Sequence, residues 1–130
     1  MGRALPVIHL DTNFLIAGAQ LGTADNAALR AWLGAGEKLA VSAIVWMEFV
    51  TGPLDRRGAV SAQFLIEDRI LPVGKDEAEL AAELCNLAGR RRSLRIDCLM
   101  AATAIRHGAR LATRNTADHR LFAPRGLRLT

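Results

Sequence analysis

Five apolar runs, each too short for a helix, recur along the chain: 7–10 (VIHL), 39–45 (LAVSAIV), 70–73 (ILPV), 110–113 (RLAT) and 127–129 (LRL). The longer segments between them carry helical periodicity instead. Near 24–34, Leu29, Trp32 and Leu33 share a helix face that closes at Gly34 and Gly36. Segments 59–68 and 76–89 repeat the pattern, and 97–107 (DCLMAATAIRH) sets Leu99, Ala102, Ile105 and Arg106 at helical spacing with Gly108 as its stop. Strands alternating with helices predict an α/β fold: a mostly parallel sheet of about five strands, flanked by helices on both faces and joined by right-handed crossovers. At 130 residues, without a linker, repeat or low-complexity tract, the chain reads as a single domain over 1–130.

Composition narrows the partners. The charge of +4 comes from fifteen arginines against only Lys38 and Lys75, a bias suited to phosphate or carboxylate contacts. Tyrosine is absent and aromatic residues make up 5%, which argues against a base-stacking RNA platform, so any nucleic acid is expected to be held by its backbone. No stretch approaches the roughly 20 apolar residues of a membrane span, and "MGRALPVIHLD" meets an acid too early for a secretory signal. The expected location is cytoplasmic, with no membrane partner. Cys85 and Cys98 lack CxxC spacing and read as small buried side chains.

The first run ends on Asp11, Thr12 and Asn13. In a parallel sheet all strands end on one edge, where open α/β folds place their sites. Glu48, about one turn into the helix of "AIVWMEFVTG", falls close to that edge, and Asp97 opens the helix leading back to the fourth strand. "LATRNTADHRLF" then delivers Thr113, Asn115 and Asp118 to it. Taken singly, Asp11 also suits a helix cap, Asp97 the positive end of a helix and Asp118 a loop. Taken together, the acids Asp11, Glu48, Asp97 and Asp118 converge if their strands are neighbours. Clustered carboxylates repel one another, and without nearby lysines they suit a hard divalent ion, Mg²⁺ with Mn²⁺ as the alternative. Such an ion activates water and offsets phosphate charge.

The motifs "HLDTNFLI", "SAIVWMEFVTG", "RIDCLMAATAIRHGARLATRNTADHRLF" and "GLRLT", in this order and spacing, make the chain resemble PIN-domain ribonucleases, specifically the VapC-type toxins of VapBC toxin-antitoxin pairs. The resemblance implies a PIN-like three-layer fold and a metal-dependent endoribonuclease. Asp11, Glu48, Asp97 and Asp118 match the family's catalytic metal ligands, with Thr12, Asn13, Thr113 and Asn115 as supporting polar groups. An aromatic residue usually follows the last acid in the family; His119 stands there instead. The resemblance also implies an RNA substrate, a homodimer and a small VapB-like antitoxin. Arg114 and the run Arg90, Arg91, Arg92 and Arg95 are candidate contacts to RNA phosphates or to acidic antitoxin residues, Arg114 having the alternative of pairing with Asp118.

Competing readings lack required residues. A receiver domain needs an acidic pair after its first strand and a lysine near its last, and a dehalogenase-type phosphatase needs a second Asp where Asn13 stands. A serine hydrolase needs a G-x-S-x-G elbow, which is absent. His9, His107 and His119 lack metal-binding spacing and read as structural or exposed. Two alternatives share the fold: a PIN nuclease of RNA maturation without an antitoxin, and a non-catalytic PIN-fold module that only binds RNA or a partner.

Overall fold

The computed structural model describes residues 7–52 and 56–130; residues 1–6, part of the segment judged not to be a signal, lie outside them. In chain order the elements are β1 (Val7–Leu10), α1 (Thr12–Gly18), α2 (Ala24–Gly34), β2 (Lys38–Ser42), α3 (Ala43–Thr51) and α4 (Arg56–Ile66). There follow β3 (Ile70–Leu71), α5 (Lys75–Leu87), α6 (Arg95–Arg106), β4 (Arg110–Ala112) and α7 (Thr116–His119), with 3-10 turns at Arg92–Leu94 and Arg120–Arg125. No helix among the described residues is long and apolar enough to cross a membrane.

Among the described residues the sheet has four parallel strands in the order β3-β2-β1-β4. The expected fifth strand shrinks to one parallel bridge, Leu111 to Leu129, where the Leu111 N–H donates to the Arg128 carbonyl at 2.8 Å. Three other runs were read too long, 110–113 by one residue because β4 ends at Ala112. Ser42 ends β2 because its hydroxyl accepts from the Val45 N–H at 3.3 Å and starts α3, so Ala43, Ile44 and Val45 are helical. Pro72 has no N–H for the ladder, and β3 stops at Leu71. Helix 24–34 stands as read, and the other three expected helices shift by up to three residues at their ends.

Alternation along the strands divides the core between the two sheet faces. Ile8 and Leu10 of β1 pack with Phe14, Leu15, Leu29, Val45, Phe49 and Ile66, beneath α1 to α4. On the other face Leu84, Cys98, Ala101, Leu111 and Phe122 gather under α5 and α6, where alanines let the helices approach closely. Burial pushes the Cys98 thiol up to about 12, consistent with an inert core cysteine, while Cys85 is half-buried. His9 sits inside as a neutral ring: burial lowers it to about 4, and its Nε2 accepts from the Ser42 N–H at 3.0 Å.

Helices after β1 cover one face and those before β4 cover the other, so the direction of winding reverses between these two adjacent strands. Open α/β sheets form their crevice at such a switch point. On the α2 face formed by Leu29, Trp32 and Leu33, Leu29 is buried and Trp32 stacks on Phe14 at 5.6 Å, while Leu33 is exposed. Further exposed apolar side chains include Leu21, Met47, Val50, Val60 and Phe64.

Leu10→Ala, at the centre of the sheet, is expected to cost about 2–5 kcal/mol in urea unfolding, as large-to-small changes in packed cores do. Leu21→Ala, at a position 84% exposed, should stay within about 0.5 kcal/mol of wild type.

Candidate active site

The winding reversal opens a cavity of about 550 Å³ at the C-terminal ends of β1 and β4. Asp11, Thr12, Asn13, Glu48, Asp97, Arg114 and Asn115 line it, with Ser93, Ile96 and Met100. The three acids come from three different elements. Asp11 follows β1 with its backbone N–H on the Ala112 carbonyl at 3.1 Å, which fixes it to β4 as well. Its side chain is nearly buried, and Oδ1 accepts from the Phe14 N–H at 2.6 Å. Helix capping and a place in the cavity wall therefore coincide at Asp11, because the N-terminus of α1 stabilises the carboxylate.

Glu48 projects from α3, and its Oε1 accepts from the Thr12 hydroxyl at 2.7 Å. Asp97 lies in the first turn of α6, half-buried. Burial is the main cause of the rise of its carboxyl above the ordinary value; the charges of Asp11, Asp118 and Glu48 add to the rise, and His119 opposes it. Thr113, the buried residue after β4, accepts from the Asn115 N–H and turns that segment toward the cavity.

The remaining charged candidates are engaged elsewhere. Asp118 is not part of the cavity lining; it accepts from Asn115 Nδ2 at 3.0 Å and pairs with Arg91 at 3.2 Å. The Asn115 hydrogen bond, with Arg91 second among the favourable contacts, holds the Asp118 carboxyl below its ordinary value. Arg114 reaches the cavity wall but pairs with Asp25 of α2 at 2.6 Å, not with Asp118. Arg90, Arg91 and Arg95 line a separate cavity of about 420 Å³ beside Cys85 and Leu99. Arg92 is exposed in the turn between α5 and α6.

Among the described residues no three His, Cys, Asp or Glu side chains form a group that could hold a metal ion by themselves. The donor chemistry nonetheless fits one kind of ion. Mg²⁺ retains several waters and binds through one or two carboxylates, and an open oxygen-lined cavity without lysine supplies that, whereas a cation needing an all-protein cage has no place here.

The PIN domain family matches residues 8–122. The chain belongs to the PIN domain family. PIN domains are nucleases and generally use divalent metals. The fold is shared with a VapBC complex of Rickettsia felis bound to a DNA fragment from its promoter: 19% identity, TM-score 0.71, covering 95% of this chain and 97% of that one. FitAcB from Neisseria gonorrhoeae aligns at 25% identity and TM-score 0.68, over 95% of this chain and 96% of the other. A toxin-antitoxin complex from Klebsiella pneumoniae aligns at 28% identity and TM-score 0.69, over 86% and 89%. No curated protein matches the sequence significantly.

Sequence reasoning missed Ser93, Ile96 and Met100 in the wall of this PIN domain. The last two share the inner side of α6 with Asp97 through helical spacing, a signal that was present in the sequence. Asp25, which holds Arg114 from 89 positions away, left no such signal.

Asp97→Asn tests the electrostatics of the cavity. A carboxyl raised in the folded state contributes stability at pH below its ordinary value of 3.8 and loses it as pH rises through the folded value. In EDTA the melting temperature of the variant should therefore gain on wild type as pH is raised from below the carboxylate range to neutral. A difference that does not change with pH would show that burial and the neighbouring charges do not raise the Asp97 carboxyl in the folded state.

Proposed function

We propose that this PIN domain is a Mg²⁺- or Mn²⁺-dependent endoribonuclease and the toxin of a toxin-antitoxin pair. The observation that carries the reading is the convergence of Asp11, Glu48 and Asp97 on one cavity at the β1/β4 switch point. A divalent cation bound there supplies an activated water and offsets phosphate charge. Asp11 and Glu48 are pre-oriented for that ion by the Phe14 N–H and the Thr12 hydroxyl. Asp97 supplies the third carboxylate from α6. Asp118, the fourth acid of the set, acts on the cavity through Asn115 and through its charge on Asp97.

Around this centre Arg114 is the phosphate contact nearest the acids, exchanging Asp25 for an RNA phosphate. Arg90, Arg91, Arg92 and Arg95 extend the basic surface, which suits backbone-dominated RNA binding or the acidic residues of an antitoxin. The complexes of Klebsiella pneumoniae and Rickettsia felis support a small VapB-like antitoxin as the partner. A homodimer is part of the reading and is supported by the exposed Met47, Val50, Val60 and Phe64. The proposed setting is the cytoplasm.

Freed of antitoxin, the protein should cleave a structured RNA in Mg²⁺ or Mn²⁺, fall silent in EDTA and recover on metal addition, while light scattering gives the mass of a dimer. Asp11→Asn should reduce cleavage by about 10² or more, since the ion loses a ligand fixed to two strands. Full cleavage in chelator contradicts the metal dependence, and no cleavage of any RNA pool with metal restored contradicts the enzymatic reading and favours a binding module.

A further inference from the structure

Of the three acids in the cavity, two are oriented by hydrogen bonds, Asp11 by the Phe14 N–H and Glu48 by the Thr12 hydroxyl. Among the described residues nothing donates to the Asp97 side chain. The group that faces it is His119, whose Nε2 lies 3.8 Å from Asp97 Oδ1, within ion-pair range but longer than a hydrogen bond. His119 is completely buried, and neither of its ring nitrogens has a hydrogen-bond partner among the described residues. Among the described residues its one ring contact is with Phe122, met edge-on at 5.9 Å between ring centroids. A phenyl ring would make that contact equally well and would leave no buried polar atom without a partner. Packing therefore accounts for a ring at position 119 but not for its nitrogens.

We propose that His119 is a positioning residue for Asp97: its Nε2–H donates to one carboxylate oxygen when a divalent cation engages Asp97, and so fixes the other oxygen toward the cavity. Hydrogen bonds from outside the ligand set orient coordinating carboxylates in this way, and losing such a partner commonly weakens metal binding by about 10–100-fold. Burial keeps the ring neutral, with its charged form disfavoured, so the hydrogen bond it offers is that of a neutral imidazole. Because α7 follows directly on the β4 loop, the same short helix sets both Asp118 against Asn115 and His119 against Asp97. The assignment rests on the metal-site reading above.

The test compares the affinity for Mn²⁺ itself, read by electron paramagnetic resonance of the free ion, in wild type and three variants whose folding is followed by thermal melts in EDTA. His119→Phe and His119→Met keep the bulk without a donor; His119→Gln keeps an N–H donor. The Phe and Met variants should bind Mn²⁺ about tenfold more weakly or worse while melting no lower than wild type in EDTA, and the Gln variant should recover most of the affinity. Two non-donor substitutions guard against one of them failing to pack. Wild-type affinity in either folded non-donor variant overturns the proposal and leaves the metal site standing, as does equal weakening in the Gln and the non-donor variants. A wild type that binds no Mn²⁺ overturns the metal-site reading and this assignment with it.

Discussion

A carboxylate buried at the end of a central strand is unfavourable unless something on the protein compensates its charge, and the fold is arranged around Asp11 so that something does. Its oxygen meets the Phe14 N–H at the N-terminus of α1, and its own N–H is taken by Ala112 at the end of β4. One residue thus joins the adjacent strands β1 and β4 to the first helix. The tight turn from β1 into α1 leaves Thr12 next to Asp11, and from there the Thr12 hydroxyl reaches Glu48 of α3. The site is in this sense a continuation of the sheet, held by the same ladder that defines the fold.

The second constraint is the reversal of winding between β1 and β4. α5 and α6 do not pack on the same face as α1 to α4. Instead α6 runs along the edge of both cores, giving Met100 to one and Cys98, Ala101 and Ala102 to the other, and its first turn lies over the crevice. Three like charges then share a partly dry cavity, and the rise of the Asp97 carboxyl records that burial and crowding. The basic residues nearest it are already paired: Arg91 is drawn aside by Asp118, and Arg114, in the cavity wall, is held by Asp25.

How much of this could be read from residues alone follows from the range of each interaction. Strand β1 and helix α2 were legible at their exact limits, because their periodicity and end signals are local. The run that became β2 and the start of α3 was over-read as strand, since apolar residues continue past Ser42 and only its cap marks the change. The placing of Asp11, Glu48 and Asp97 on one edge needed only the rule that parallel strands end together. The direction of Asp118 was not legible, because it is set by Arg91 across 27 positions, and the burial of His119 depends on Phe122 and on the packing of α6. Polar-to-polar contacts between distant segments leave no periodic trace, and these contacts decide which acids look into the cavity.

The proposed function requires that the cavity between β1 and β4 take a divalent cation through its acids. The most direct measurement is anomalous diffraction at the manganese edge from crystals equilibrated with Mn²⁺, with Asp11→Asn crystals as the control. One strong peak is expected within coordination distance of carboxylate oxygens of Asp11, Glu48 or Asp97 in wild type, with its loss or marked weakening in the variant. A cavity without a peak at saturating Mn²⁺, or a peak that persists unchanged in Asp11→Asn, would contradict the proposed function.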